Sequence, residues 1–196
     1  LAVMAHPDDA ELLCAGTLAR ARADGAAVAV CVMCQGDKGV AAAGEQQQGG
    51  NDLGPVRKRE AADAAALIGA TLYWFEARDG ELFDTHETRR KLVEIYRQFR
   101  PTLVITHCPE DYHPDHRATG VVAEAATWFA ASHGHVTDSR PVDASPGLWR
   151  ADALNMSGFT PEFYVDVTPH IELKRKMLAC HRSQLARGSD SDFSPL

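Results

Sequence analysis

Leu1-Ala2-Val3-Met4-Ala5-His6-Pro7-Asp8-Asp9-Ala10-Glu11 is the stretch on which the fold turns. Five apolar residues predict a short strand, and the polar, proline-containing segment after them ends it. A helical pattern over residues 11–23 follows and stops at Asp24-Gly25. A strand handing over to a helix through a turn dense in ionisable groups is the first half of a βαβ unit.

Outward from this stretch the alternation repeats. Residues 27–34 read as a second strand, 71–75 as a third and 102–106 as a fourth. Between them, residues 55–68 predict a helix with Pro55 near its start and Gly69 past its end. Residues 85–99 predict an amphipathic helix stopped before Pro101, and residues 116–131 a further one. Residues 36–54, rich in Gly and Gln, predict a long loop. Residues 132–145 carry no clear signal, residues 149–167 are expected to add two more strands, and residues 171–181 a last helix. Such alternation predicts an α/β fold with a mostly parallel sheet covered by helices on both sides. The active site then belongs at the carboxyl ends of the strands, after Ala5, Cys34, Phe75 and Thr106. Neither common phosphate-binding glycine pattern is present.

Composition narrows the function classes. The 196 residues, 45% of them apolar, suit a single domain spanning 1–196. The net charge of −7 and the absence of a long basic cluster exclude nucleic acid as the expected partner. Arg57-Lys58-Arg59 and Lys174-Arg175-Lys176 read as solvated helix faces. No apolar run suits a membrane span and no leader-like segment is visible, so the expectation is a cytoplasmic protein, with a homo-oligomer compatible. Five scattered cysteines do not form a disulfide scaffold. Cys31 and Cys34, on opposite faces of a regular strand, read as core residues. Trp74, Phe75, Trp128, Phe129 and Trp149 are also expected in the core, and His86, His133, His135 and His170 in solvent.

Two clusters carry chemistry. His6, Asp8, Asp9 and Glu11 follow the first strand; His107, Glu110, Asp111, His113, Asp115 and His116 follow the fourth. Carboxylates this dense are costly to desolvate unless a cation or hydrogen bonds compensate. A catalytic zinc takes three protein ligands and leaves a position for water. His6 and Asp9, with Pro7 between them, can supply two ligands, and His116 the third. Asp8, beside the metal, is then the candidate general base. His113 can protonate the leaving amine or support the oxyanion, with Asp115 fixing its tautomer. Taken singly, Asp8-Asp9 could be a helix cap and His113-x-x-His116 a solvated pair; both clusters at matching strand ends are hard to explain that way. His107 ends its strand and can stand behind the ligands.

These residues also carry a resemblance. Ala5-His6-Pro7-Asp8-Asp9-Ala10-Glu11 and His113-Pro114-Asp115-His116 resemble the two signatures of the LmbE/PIG-L de-N-acetylases, A-H-P-D-D-x-E and H-P-D-H. Gly16-Thr17-Leu18-Ala19, Gly36-Asp37-Lys38-Gly39, Arg57 with Glu60, Asp79-Gly80 and His181-Arg182-Ser183-Gln184 are similar to further stretches of the family, so the likeness covers nearly the whole chain. Ala15 and Gln35 depart from it, where relatives often carry Gly and Thr or Ser. The resemblance implies a Rossmann-like three-layer αβα sandwich and zinc, with iron(II) as the alternative, held by His6, Asp9 and His116. It also implies Asp8 as general base, His113 assisting the tetrahedral intermediate, and Arg57 and Asp79 holding the sugar. The implied activity is removal of an N-acetyl or other N-acyl group from a small amino-sugar or amide substrate of N-acetylglucosamine type. An amidase acting on another amide or a thiol conjugate, and a non-catalytic sugar- or nucleotide-binding module, are the alternatives.

Overall fold

The computed structural model describes residues 1–39, 53–156 and 158–185. Strands β1 (Ala2–Met4), β2 (Ala29–Cys34), β3 (Thr71–Ala77), β4 (Leu103–His107) and β5 (Gly147–Ala151) form one sheet in the order β3-β2-β1-β4-β5. Every neighbouring pair is parallel. Around the sheet lie α1 (Asp9–Leu13), α2 (Ala15–Ala23), α3 (Gly54–Ala66), α4 (His86–Phe99), α5 (Pro114–Ala130), α6 (Ile171–Leu178) and α7 (Arg182–Leu185).

Alternation along β1 builds two cores. Leu1 and Val3 pack with Leu92 and Tyr96 of α4 and Val122 and Ala126 of α5. Ala2 and Met4 pack on the other face with Leu18 and Ala19 of α2, Ala64 of α3 and Met177 of α6. Helices on both faces make the three-layer αβα sandwich, and they explain why every residue of β1 and β2 is apolar and buried.

The strand order also places the site. From β1 the chain steps outward to β2 and β3, then returns to lay β4 on the other side of β1. The connections after β1 and β4 therefore diverge at a switch point, and the crevice beyond their carboxyl ends is where such sheets bind ligands. His6 and His107 stand at that crevice. Helix α5 can lie against it because Gly120 has no side chain: a Cβ there would come within 2.8 Å of the His107 carbonyl oxygen.

Several details depart from the sequence reading. The helix expected over 11–23 is two helices, starting at Asp9 and broken at Cys14, whose φ of −140° and ψ of 5° leave the helical region. Just beyond the break, Val167 packs directly on Gly16. The last helix stops at Leu178, and α7 continues after a turn. Among the described residues of 149–167 there is one strand, the end of β5, instead of two. Pro161 lacks a donor for a ladder, and its neighbours Phe163 and Tyr164 are exposed. A bulge between Val32 and Cys34 interrupts the alternation, so Cys31 and Cys34 pack in the same core as free, buried thiols. Trp128 is 71% exposed, because α5 turns Arg117, Val121, Glu124 and Trp128 outward at helical spacing. Of the long loop expected over 36–54, residues 40–52 lie outside the described residues. Among the described residues no helix is long and apolar enough to cross a membrane.

Candidate metal and catalytic site

The turn after β1 is shaped by its own side chains. Asp9 Oδ2 accepts the His6 backbone N–H at 2.7 Å, closing the His6-Pro7-Asp8-Asp9 turn. Asp8 occupies the N-cap position of α1 with a φ of 109°, yet its side chain caps nothing. A non-glycine residue there costs on the order of 1–3 kcal/mol and persists only where its surroundings enforce it. The carboxylate instead meets Arg57 of α3, whose Nη2 lies 3.0 Å from Asp8 Oδ2. The helix-cap explanation of the Asp8-Asp9 pair is thus not what the side chains do.

From α5, His116 projects into the same crevice. His6 Nδ1 and His116 Nε2 are 3.2 Å apart, His116 Nε2 and Asp9 Oδ2 are 3.3 Å apart, and His6 Nδ1 and Asp9 Oδ2 are 3.5 Å apart. Three ligands on one face of a tetrahedron, each about 2.0 Å from its centre, are separated by about 3.3 Å. The donor set and its spacing fit a zinc-like ion. Three other groupings also bring metal-ligating atoms close: His6, His113 and His116; His6, Cys34 and Asp115; and Asp9, His107 and His116. The trio of His6, Asp9 and His116 is preferred because its atoms match the tetrahedral edge and each has a further group behind it.

Those supporting groups are specific. His116 Nδ1 lies 3.0 Å from Asp111 Oδ1. His6 Nε2 lies 3.1 Å from Asp115 Oδ2, which also accepts the Gly80 N–H at 2.7 Å. His107 accepts the Ala5 N–H at 3.0 Å and stacks on His116 with ring centroids 4.0 Å apart. A carboxylate on the second ring nitrogen of a histidine fixes its tautomer and strengthens it as a ligand. Asp115 therefore faces His6, whereas the sequence reading gave its carboxylate to His113. The His113 tautomer is set by the main chain: the Asp115 N–H donates to His113 Nδ1 at 3.2 Å, which puts the proton of the neutral ring on Nε2.

Charge follows the same plan. Burial opposes protonation of His6, but hydrogen bonds with Asp115 and Asp9 hold its pKa up to about 10. Burial also opposes protonation of His116, and the charge of Asp9 and a bond to Asp111 raise it to about 9. Asp9 is buried, yet the charge of His116 and its contacts with His116 and His6 hold its carboxyl well below the usual range. A field that retains protons on two histidines is one that favours a divalent cation between them. Asp8 goes the other way: burial pushes it up to about 6 against the pull of Arg57. Burial and the charges of His6 and His116 push His113 below its ordinary value.

These groups floor a cleft of about 440 Å³. A larger hollow of about 760 Å³ opens at the other end of the sheet, around Leu1 and Leu103, away from every metal-ligating cluster found among the described residues. The cleft wall includes both proposed sugar-holding residues, and protein groups already engage them. Arg57, read from sequence as part of a solvated face, is only 4% exposed. Asp79 accepts the Gly36 N–H at 2.7 Å and the Lys38 N–H at 3.1 Å, joining the loops after β2 and β3. Gln184 of α7 also lines the cleft.

The sequence reading assigned no role to two supporting groups. Asp111 stood in the second cluster, and its place five residues before His116 was the available signal. Glu11, buried in the first turn of α1, lies with Oε2 3.2 Å from Nε2 of His181, also buried, so the turn before α7 is tied to the helix that carries Asp9. Nothing in the spacing of residues 11 and 181 announces that pairing.

Comparison with known proteins follows the same lines. The family model described as "PIG-L: GlcNAc-PI de-N-acetylase" matches residues 1–127. A diacetylchitobiose deacetylase of Thermococcus kodakarensis is 27% identical, over 94% of this chain and 69% of its own length. The structure of an N,N'-diacetylchitobiose deacetylase from Pyrococcus horikoshii, bound to an inhibitor, superposes with a TM-score of 0.80 and 29% identity, covering 93% of this chain and 69% of that one. A 4-oxalmesaconate hydratase of Pseudomonas putida is 25% identical, over 94% of this chain and 73% of its own length.

Proposed function

Because the chain belongs to the PIG-L family of de-N-acetylases and is an enzyme of that class, we propose that it hydrolyses the N-acetyl amide of a small N-acetylglucosamine-type conjugate, with zinc held by His6, Asp9 and His116. Residues 1–196 act in this reading as one catalytic domain, in the cytoplasm. The observation that carries it is the spacing of the three ligand atoms, 3.2, 3.3 and 3.5 Å, on side chains whose outer faces are already braced. Bound there, the metal polarises a carbonyl and lowers the pKa of water.

The rest falls to the chain's own residues. Asp8 stands outside the ligand trio, and its pKa of about 6 leaves the carboxylate ionised at neutral pH yet more basic than an ordinary aspartate. It accepts the proton of the attacking water and delivers it to the amine as the C–N bond breaks. His113 carries its proton on Nε2 and donates a hydrogen bond to the carbonyl oxygen as that oxygen gains charge. Asp79 keeps spare lone pairs beyond its two loop contacts, enough to accept a sugar hydroxyl at the wall.

Zinc reconstitution of the purified chain, removal of loose metal and an acetate-release assay on N,N'-diacetylchitobiose test this reading. About one metal per chain and acetate release are expected, both lost in His116→Ala. A folded wild-type chain that retains no metal overturns the mechanism. Retained metal without acetate release from amino-sugar amides overturns the substrate, and directs the search to hydration, the reaction named for the P. putida relative.

A further inference from the structure

We propose that Glu11 and His181 are positioning residues: their buried pair locks helix α1, and with it the Asp8-Asp9 turn, onto the segment that carries α6 and α7. The inference rests on the reading of Asp8 as general base and Asp9 as metal ligand, and adds what aims them at His116.

Helix α1 cannot orient itself. It has five residues, Asp9–Leu13, and the backbone breaks at Cys14 directly after it. A helix that short has almost no stability of its own. The bond from the His6 N–H to Asp9 closes the turn before it, which fixes the shape of the turn and not its direction. His116 reaches the crevice from α5, a separate element. The ligand trio therefore needs α1 held from outside.

The hold comes from the other end of the sequence and falls on three consecutive residues. Ala10 packs in the same core as Met177 of α6. Glu11, 3% exposed, lies with Oε2 3.2 Å from Nε2 of His181, itself 1% exposed. The Leu12 carbonyl accepts a bond from Lys174 Nζ of α6 at 2.9 Å. Among the described residues, Glu11 is the one acid in ion-pair reach of the His181 ring. The segment is itself anchored elsewhere. Ser183 donates its N–H and its hydroxyl to Glu60 of α3 at 2.8 and 2.6 Å, and Gln184 Nε2 donates to the Gly39 carbonyl at 3.2 Å.

Of the three contacts on α1, the Glu11–His181 pair has the least to do with stability. The cost of taking two such groups out of water largely offsets their attraction, and apolar residues of similar volume often pack as well or better. What the pair adds is direction. Apolar side chains slide past one another at little cost, whereas an N–H aimed at a carboxylate sets both a distance and an angle. A misplacement of about 1 Å at the reacting groups costs on the order of 10²-fold in rate, so the direction of α1 matters to turnover.

A positioning pair and a merely structural one part company in the apolar variant Glu11→Met/His181→Phe, where the fold is expected to survive and the direction to be lost. We would measure its zinc affinity by chelator competition, and kcat and KM on N,N'-diacetylchitobiose per folded, zinc-loaded molecule, beside His181→Gln and Asp8→Asn. Zinc affinity is expected to fall about 10-fold and kcat about 10–10²-fold, with KM changed by less than about 3-fold. His181→Gln places an amide N–H where Nε2 stood, and should keep kcat within about 5-fold of wild type. Wild-type zinc affinity and kcat in the apolar variant overturn the proposal. So does a raised KM at unchanged kcat, or a His181→Gln as impaired as the apolar variant. Should the apolar variant not fold, Glu11→Gln/His181→Leu, which leaves a neutral amide in place of the buried charge, is read by the same criteria. The zinc measurement holds whatever the substrate. Full activity of Asp8→Asn, or a folded wild type that binds no zinc, would instead overturn the reading of the site on which the pair is said to act.

Discussion

The two ends of helix α5 bury charge in opposite ways. At its carboxyl end, Arg97 of α4 is 3% exposed and fully engaged. Its Nε donates to the Ala130 carbonyl at 3.1 Å, and Nη2 to the carbonyls of Phe129 and Ser132 at 3.2 and 2.7 Å. Nη1 reaches Thr137 Oγ1 at 2.9 Å and the Ser139 carbonyl at 3.4 Å. The cation meets the unpaired carbonyls and negative dipole of a helix end, so every term favours it. At the amino end, His113, Asp115 and His116 crowd with His6, Asp9 and Asp111. There Asp111 Oδ2 and His107 Nδ1 are buried without a hydrogen-bond partner, 3.7 Å apart. At the carboxyl end the buried charge is satisfied by the chain itself. Groups left crowded and incompletely satisfied serve something that binds, and local conflict of that kind is expected at functional sites.

The comparison breaks most sharply at Asp8. Asp8→Asn should lower the rate of acetate release by about 10²–10⁴-fold, the usual share of a general base. Its effect on stability should be nil or favourable at neutral pH. The sign follows from the raised pKa: an acid that titrates near 6 when folded and 3.8 when unfolded destabilises the fold as pH rises through that interval. Calorimetry beside the activity assay checks both halves. A variant that keeps its activity, or loses several degrees of unfolding midpoint, would put Asp8 in the same class as Arg97.

Arg97 predicts the reverse pattern. Arg97→Met keeps most of the volume but strips the donors from four carbonyls and a hydroxyl, and should cost about 3 kcal/mol in urea unfolding. Turnover per folded molecule should not change, since the residue lies at the far end of a 17-residue helix from the cleft. A loss below about 1 kcal/mol would mean that water replaces the guanidinium without penalty, and the contrast between the two ends would weaken.

The contrast also explains what could be read from sequence. The strands were legible because a doubly covered parallel sheet demands unbroken apolar runs, as in residues 1–5 and 27–34. The cleft was legible because ligand-type residues accumulate where two such runs end, after Ala5 and Thr106. Arg97 was not, because an arginine in the amphipathic pattern of 85–99 looks the same whether it faces water or a helix end. Arg57 hid in a run of three basic residues for the same reason. Nor could spacing tell that the Asp115 carboxylate turns to His6 while its N–H turns to His113, since sequence distance does not report side-chain torsions. The breaks at Cys14 and Val32, and the missing strand near Pro161, depend on contacts with distant segments that no local pattern contains.

The smallest expected effect sharpens the comparison at the carboxyl end of α5. The loop that Arg97 holds is gripped from the same helix by Glu94, which accepts the Ser139 N–H at 3.0 Å and the Ser139 hydroxyl at 2.6 Å. Partial burial opposes ionisation, but these bonds outweigh it and lower the Glu94 pKa from 4.5 to about 2. A depressed acid contributes stability that is present above 4.5 and disappears as pH falls toward 2. Glu94 is only partly buried, so solvent screening should keep its contribution at neutral pH below about 1 kcal/mol. Wild type and Glu94→Gln, unfolded in urea across this range, should differ by that small amount at pH 7 and converge as the medium is acidified below 4.5. If the gap instead stays constant with pH, the loop is held by Arg97 and by packing, and the Glu94 carboxylate is only a neutral-equivalent acceptor for Ser139.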